Sequence, residues 1–189
     1  MRSLVLVLAL AACSASNPAF DGTALTPPRA APAISLTDDA GNAWTLADQR
    51  GKRVALYFGY AHCPDDCPLT LAKLSKAVAG LGAQSGTAEI AFVTVDPARD
   101  TPKALAAYVT RFHGAHLVGL TGSRAALAPV WNAYHVWVQR VPGTARGGGY
   151  DMAHASPVFL IDGNGMLRVV HDDDDPRSAF VHDLALLPT

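Results

Sequence analysis

Two cysteines separated by three residues have the clearest chemistry in this sequence. Cys63 and Cys67 lie in the segment Tyr57–Pro68, which follows an apolar run, Arg53–Phe58, and precedes leucines at helical spacing. The pattern places Cys67 at a helix N-terminus, where unpaired N–H groups and the helix dipole favour a thiolate. A thiolate attacks disulfides and binds soft metal ions, so we expect the pair to be a redox site or a metal site.

The alternatives for this pair are a structural disulfide and a pair of buried thiols. A bridge between Cys63 and Cys67 would close too short a loop to stabilise the fold much. The residues between them, Pro64, Asp65 and Asp66, are typical of a surface loop. We therefore favour a functional pair, and the position of Cys63 predicts that it is the attacking cysteine if thiol exchange occurs.

The overall composition limits the class of protein. The chain has 189 residues, of which 50% are hydrophobic and 16% charged, and its net charge is −1. This length suits one domain with a full core. No basic excess indicates a nucleic-acid partner, so we expect none.

The N-terminus predicts export and lipidation. Residues 1–12 carry one arginine and a short apolar run, as in a signal peptide, and Leu10–Cys13 resembles the bacterial lipobox. We expect cleavage before Cys13, a lipid on that cysteine, and a domain on the periplasmic or extracytoplasmic side of the cell envelope. The alternative is an ordinary signal peptide followed by a chance cysteine. Residues 13–33, rich in Ala, Pro and Ser, predict a tether.

The rest of the chain, residues 34–189, predicts one α/β domain. A hairpin near Ile34–Leu46 comes first, and strands then alternate with helices before a second hairpin and a last helix. With a cysteine pair at a strand-to-helix junction, this order indicates a thioredoxin-like fold, a central mixed sheet flanked by helices with an N-terminal hairpin. The predicted strands are 53–58, 90–95, 117–120, 134–141, 157–162 and 166–171. The predicted helices are 67–81, 102–112, 123–133 and 177–187. Residues 144–150 are predicted to form a flexible loop.

Four segments carry a resemblance to a known family. They are Phe58–Pro68, Phe92–Pro102, Gly119–Gly122 and Tyr150–His154. Together they resemble the Sco/SenC proteins, which are membrane-tethered, thioredoxin-like and copper-binding, and the similarity extends from about Ile34 to the C-terminus. The resemblance implies that Cys63, Cys67 and His154 bind one copper ion. Without it, His154 is as readily a surface histidine, since the chain has 7.

The resemblance also implies a role. Sco/SenC proteins assist assembly of the dinuclear copper centre of cytochrome c oxidase, either by delivering copper or by reducing the target's cysteines. The implied partner is cytochrome c oxidase subunit II or another copper-site protein, with the membrane contacted through the lipid anchor. We expect the protein to be a monomer.

Two departures from the family keep an alternative open. The residue before the histidine is usually Asp in the family but is Ala153 here, although Asp151 is close. Pro157 opens a late strand, as in thioredoxin-type reductases, where a cis-proline faces the cysteine pair. The alternative is thus a membrane-tethered thiol–disulfide oxidoreductase acting without metal. A peroxidase would need a general base that is not evident, and structural zinc would lack a fourth ligand.

Overall fold

The structure, a computed structural model, describes residues 19–143 and 149–189. The predicted signal peptide, residues 1–12, and the proposed lipidation site, Cys13, lie outside this range. So do residues 144–148 of the predicted flexible loop. Between residues 19 and 143 and between 149 and 189, no helix is both long and apolar enough to cross a membrane.

Three parallel strands form the centre of the sheet: β4 (Arg53–Gly59), β5 (Ala88–Thr94) and β6 (His116–Thr121). Every residue of β4 and β5 is buried. Their nearly continuous apolar sequence is expected for strands that are covered on both faces. Parallel strands need a crossover, and α1 (Asp66–Gly80) and α2 (Pro102–Val109) supply the two crossovers.

Antiparallel strands extend this centre on both sides. Next to β4 lie β9 (Val158–Ile161), β10 (Met166–His171) and β1 (Thr23–Ala30), and next to β6 lie β2 (Ser35–Asp38) and β3 (Ala43–Thr45). The strand order is β1-β10-β9-β4-β5-β6-β2-β3. The predicted thioredoxin-like fold, with a central mixed sheet and an N-terminal β2–β3 hairpin, is confirmed.

The two remaining helices also agree with the sequence. Helix α3 (Arg124–Ala133) begins after Ser123, whose side chain accepts a hydrogen bond from the Ala126 N–H at 3.2 Å, and it includes Pro129. Helix α4 (Arg177–Leu186) packs against α1. These helices cover the sheet and complete one hydrophobic core.

A separate antiparallel pair lies beside the main sheet. It consists of β7 (Val138–Pro142) and β8 (Tyr150–His154), with Val138 opposite His154. The sequence predicted a strand over 134–141 but none over 150–154. The mixed polarity of β8 concealed it, because its residues are half-buried except for Met152. This pair carries His154.

Strand β1 corrects the predicted tether. Residues 13–33 were predicted to be a flexible linker, but Thr23–Ala30 pair with β10, with Thr23 opposite Val170 and Ala30 opposite Met166. The prolines concealed this strand, and they are tolerated because β1 is an edge strand that pairs on one side only. The folded part therefore begins at or before Thr23 rather than at Ile34.

A buried carboxylate attaches the start of β1 to α4. Asp183 accepts hydrogen bonds from the backbone N–H groups of Asp21 and Gly22, each at 2.9 Å. Its Oδ2 also lies 3.0 Å from Nε2 of the buried His171, whose Nδ1 is 2.7 Å from Asp175. Asp175 thus pairs with His171 and does not cap α4, which Pro176 precedes.

We predict that Asp183→Asn lowers the free energy of unfolding by about 2 kcal/mol at neutral pH, because charge-assisted hydrogen bonds are lost around a buried imidazole. Burial raises the pKa of Asp183, but the N–H groups of Asp21 and Gly22 and the neighbouring histidines lower it more, so the net pKa is below its ordinary value. This stabilisation is complete above the unfolded-state pKa of about 3.9 and is lost as pH falls through the lower folded-state pKa.

Urea unfolding at several pH values measures this effect. The difference between wild type and Asp183→Asn should be largest near pH 7 and should shrink in acid. Asp174→Asn, at an exposed position in the loop before α4, is the matched control and should change stability little. A difference that is constant with pH would contradict the assignment to the Asp183 charge.

Candidate metal centre

The cysteine pair is built where β4 ends and α1 begins. The Cys63 N–H donates to the Tyr60 carbonyl at 3.2 Å, which forms a turn between the two elements. Cys63 is half-buried, whereas Cys67, in the first turn of α1, is 1% exposed. The backbone N–H of Cys67 points at the Cys63 sulfur, with the nitrogen 3.4 Å from Sγ. The N-terminus of α1 therefore directs a hydrogen-bond donor at the sulfur of Cys63 rather than at that of Cys67.

Gly59 makes room for the buried sulfur. A Cβ atom at this position would lie 2.9 Å from Cys67 Sγ and 2.8 Å from the Phe92 ring. Both neighbours belong to the packed core, so they cannot move aside cheaply. The last residue of β4 must therefore lack a side chain for Cys67 to occupy its position.

The pKa values of the two thiols are shifted in opposite directions. The hydrogen bond from the Cys67 thiol lowers the pKa of Cys63 to about 6; burial opposes this shift, and the backbone N–H groups of Cys67 and Asp65 assist it. The pKa of Cys67 is raised because its thiol is the donor to Cys63 and because it is buried. The sequence had placed the favoured thiolate on Cys67, and this was wrong. The thiolate resides on Cys63, the more accessible sulfur.

A buried carboxylate anchors the cysteine loop to the neighbouring strand. Oδ2 of Asp100 accepts hydrogen bonds from the Ala61 N–H at 3.0 Å and from the Thr94 hydroxyl at 2.6 Å. Burial raises the pKa of Asp100. On the other side, Asp100 Oδ1 lies 3.6 Å from Nδ1 of His62, so this histidine is directed at Asp100 although it adjoins Cys63 in sequence.

His154 approaches from the other half of the molecule, at the end of β8. Its ring packs edge-on against Tyr60, with ring centroids 6.0 Å apart and an interplanar angle of 86°. Its Nδ1 lies 2.9 Å from the Ala155 carbonyl oxygen. A carbonyl only accepts, so Nδ1 carries the proton and the lone pair of the neutral ring is on Nε2, the state required of a metal ligand.

One open cavity of about 310 Å³ joins the two halves. Cys63 and His154 both line it, and Cys67 lies behind Cys63. The other residues of its wall are mostly aromatic, acidic or apolar; they include Tyr60, Trp137, Asp66, Asp151, Met152 and Ala153. The structure thus brings the three residues suggested by sequence to one place.

Some features of the site could not be read from the sequence. No motif in the sequence marks Tyr60 or Trp137 as a site residue. Yet the ring of His154 packs against Tyr60, and Trp137, which is 57% exposed, lies at the cavity wall. Ala153 lies on the wall where the family has Asp, and Asp151 lies on the same wall. Of the peptide bonds in the described ranges, the one before Pro27 is cis, so the bond before Pro157 is trans. The reductase-like feature suggested for Pro157 is therefore not found.

This arrangement defines a class of protein. A thioredoxin-like sheet carries an accessible low-pKa thiolate, a second thiol beside it, and an imidazole nitrogen across an open cavity. Two sulfurs and one imidazole suit a soft or borderline transition metal, and the open side leaves room for an incoming ligand. The same thiols could also exchange with a disulfide.

Comparison with known proteins identifies the family. The SCO1/SenC family matches residues 23–187, and the chain belongs to it. The mitochondrial SCO2 homolog of Bos taurus is 41% identical over 135 residues, covering 70% of this chain and 50% of that protein. A SCO2-like protein of Rickettsia conorii is 34% identical, covering 76% of this chain and 70% of its own length. The copper-bound structure of ScoI from Bradyrhizobium japonicum has a TM-score of 0.73 and 32% identity, covering 82% of this chain and 97% of that one.

The match covers only part of the length of the mitochondrial relatives. The chain spans about half the length of the SCO2 homologs of Bos taurus and Homo sapiens, 50% and 49% respectively. The family match over residues 23–187 includes every strand and helix from β1 to α4. The family is therefore established on the domain that carries the candidate metal centre.

We predict that, of Cys63 and Cys67, only Cys63 reacts rapidly with iodoacetamide in the reduced, metal-free protein at neutral pH. Its rate should rise with a midpoint near pH 6, because the thiolate is the nucleophile and the pKa of Cys63 is about 6. Cys67→Ala removes the thiol that donates to Cys63 and should move this midpoint to higher pH. Mass spectrometry of quenched samples measures the rate at each cysteine.

The control is Cys63→Ala, in which the reactivity of Cys67 is measured alone. It should remain low at neutral pH because Cys67 is buried. Faster alkylation of Cys67 than of Cys63 in the wild type would overturn the assignment of the thiolate.

Proposed function

We propose that this protein binds one copper ion through Cys63, Cys67 and His154 and assists assembly of the dinuclear copper centre of cytochrome c oxidase. The observation that carries the proposal is the convergence of the Cys63 thiolate and the His154 ring on one cavity, with Cys67 adjacent. Family membership supports it, and so do the copper-bound structures of ScoI from Bradyrhizobium japonicum and of yeast Sco1, each more than 30% identical to this chain.

The donor set suits copper in both oxidation states. Thiolates favour copper(I), and imidazole binds copper(I) and copper(II). A bound cation would lower the pKa of Cys67 as well, so that the buried thiol loses its proton when the metal enters. Asp66 and Asp151 on the cavity wall add negative charge, which favours a cation there.

The proposed partner is subunit II of cytochrome c oxidase or another copper-site protein. Three protein ligands leave one side of the metal open, and a partner cysteine or histidine can attack from that side. The half-buried Cys63 lies at the opening, whereas Cys67 is enclosed. Transfer would therefore begin by replacing His154 or Cys63, the two ligands that line the cavity.

We predict that the reduced domain from residue 19 onward, which includes β1, binds one copper per chain. Cys63→Ser and Cys67→Ser should abolish tight binding, because each removes a thiolate from a site with only two. His154→Ala should weaken binding while the protein stays folded. Copper content after gel filtration, competition with a chromophoric copper(I) chelator, and circular dichroism together measure these effects.

His62→Ala is the matched control, since His62 adjoins Cys63 but is directed at Asp100, 3.6 Å away. It should bind copper as the wild type does. Unchanged copper affinity in His154→Ala would show that the proposed ligand set is wrong. Equal losses in His62→Ala and His154→Ala would deny His154 a particular role.

Thiol–disulfide exchange without metal is the second candidate. The low pKa of Cys63 beside a protonated, buried Cys67 favours it, because one thiolate could attack a partner disulfide and the second thiol could resolve the mixed disulfide. Reduction of a disulfide-bonded subunit II peptide by the metal-free protein distinguishes the two. Fast turnover together with no tight copper binding would make the reductase the primary function.

We propose that Cys13 is lipidated after cleavage of residues 1–12 and holds the domain at the outer side of a bacterial membrane. The lipobox-like Leu10–Cys13 supports this. In the full-length chain expressed in a bacterium, Cys13→Ser should lose incorporation of labelled palmitate and should move from the membrane fraction to the soluble fraction. Ser14→Ala is the neighbouring control. Palmitate incorporation that persists in Cys13→Ser would contradict the proposal.

A further inference from the structure

The strand that carries His154 does not belong to the main sheet. Among the described strands, β7 and β8 pair only with each other, and they form a two-stranded sheet separate from the eight-stranded one. The cysteines, in contrast, are fixed to the central strand β4 and to the buried Asp100. The distance between His154 and Cys63 therefore depends on whatever attaches the β7–β8 pair to the rest of the protein.

Met152 of β8 packs into the hydrophobic core, and Arg99 makes the polar attachment. It lies in the loop between β5 and α2, and it donates through Nη1 to the carbonyl oxygen of Tyr150, the first residue of β8, at 2.9 Å. Its guanidinium also lies over the Tyr150 ring, with Cζ 3.8 Å from the centroid. The Tyr150 hydroxyl in turn donates to Asp96 Oδ1 at 2.8 Å, and Arg99 pairs with Oδ2 of the same carboxylate.

A second arginine completes a sandwich around Tyr150. Cζ of Arg140, on β7, lies 3.5 Å from the centroid of the Tyr150 ring. Two guanidinium groups cannot both lie within 4 Å of one ring centroid on the same face, so Arg99 and Arg140 cover opposite faces. The ring of Tyr150 is thus held between its own hairpin and the loop of the main domain, in an arrangement that cation–π attraction stabilises.

Arg99 also approaches Tyr60, the ring against which His154 packs. Cζ of Arg99 lies 5.8 Å from the centroid of the Tyr60 ring. Arg99 therefore contacts the start of β8 through Tyr150 and approaches its end through Tyr60. The side chain is mostly buried, and its partner Asp96 is 3% exposed, so the guanidinium has little freedom to leave.

We propose that Arg99 is a positioning residue for the metal centre: by holding Tyr150 against Arg140 and by abutting Tyr60, it sets the distance of His154 from the cysteines. This deepens the proposed function and rests on it. Residues that orient a metal ligand without touching the metal typically change affinity about 10–100-fold when altered.

Arg99→Leu tests the proposal, because it removes the charge and the planar donor but keeps an apolar side chain near the backbone. We expect the affinity for copper(II) to fall about tenfold or more. The ligand-field absorption and the electron paramagnetic resonance spectrum of bound copper(II) should shift towards those of His154→Ala. Arg99→Lys keeps the charge without the planar group and should fall between Arg99→Leu and the wild type.

Arg124→Leu is the matched control. Arg124 and Arg140 line the same cavity of about 350 Å³, but Arg124 lies over the Trp131 ring, 5.7 Å from its centroid, rather than over Tyr150. It should leave copper affinity and spectra unchanged. The pH profile of Cys63 alkylation should be the same in all these variants, because Arg99 is not among the groups that set the pKa of Cys63.

A measurement without copper separates this inference from the proposed function. In the metal-free protein, the ring resonances of His154 in proton–nitrogen NMR spectra should shift or broaden in Arg99→Leu and remain in place in Arg124→Leu. Unchanged His154 resonances in Arg99→Leu would overturn the positioning role whether or not the wild type binds copper. Should Arg99→Leu fail to fold, Arg140→Leu removes the other face of the sandwich, and the same two outcomes decide.

Discussion

The hydrogen bond between the two cysteines is the interaction on which the chemistry of this site depends. The Cys67 thiol and backbone N–H are both directed at the sulfur of Cys63, and they concentrate negative charge there. The geometry requires a buried Cys67, which in turn requires that β4 end in Gly59, since a Cβ would come within 2.9 Å of the Cys67 sulfur. It also requires the first turn of α1 to start directly behind the loop. The acidity of Cys63 thus follows from core packing rather than from any charged neighbour.

The site has two halves that are stabilised in different ways. The cysteine half is continuous with the most buried strands of the sheet, and the Asp100 carboxylate fastens its loop to Thr94. The histidine half is a two-stranded hairpin that packs into the core through Met152 and is attached by polar and cation–π contacts around Tyr150. Hydrophobic burial can define a position closely without specific partners, whereas a hairpin outside the sheet needs particular side chains. For that reason we assign the placement of the imidazole to Arg99.

Most of the fold could be predicted because its strands and helices have strong patterns. The apolar runs of β4 and β5 and the Ser123 cap are local features that tertiary contacts reinforce. The errors arose where a non-local contact overrode a local pattern. The prolines of β1 suggested a linker, yet Asp183 and β10 hold it as an edge strand. The helix dipole suggested a Cys67 thiolate, yet the hydrogen bond from the Cys67 thiol to Cys63, together with the burial of Cys67, raises the pKa of Cys67 and reverses the order of acidity. The spacing of the cysteines indicated Cys63 and Cys67, and the family resemblance indicated His154, but the partner of each side chain depends on segments far apart in sequence.

The difference in pKa between Cys63 and Cys67 bears on the choice between copper delivery and thiol reduction, because each of these functions would begin at the same sulfur atom. Cys63 presents a thiolate at the cavity, so it is the first sulfur that either a copper ion or a partner disulfide meets. Cys67 acts second in both, as the ligand that loses its proton to bound metal or as the thiol that resolves a mixed disulfide. His154 is where the two processes differ: copper needs its Nε2, and disulfide exchange does not. The functional preference of this protein therefore depends on how firmly the hairpin holds His154 at the cavity, and so on the contacts of Tyr150 rather than on the cysteines.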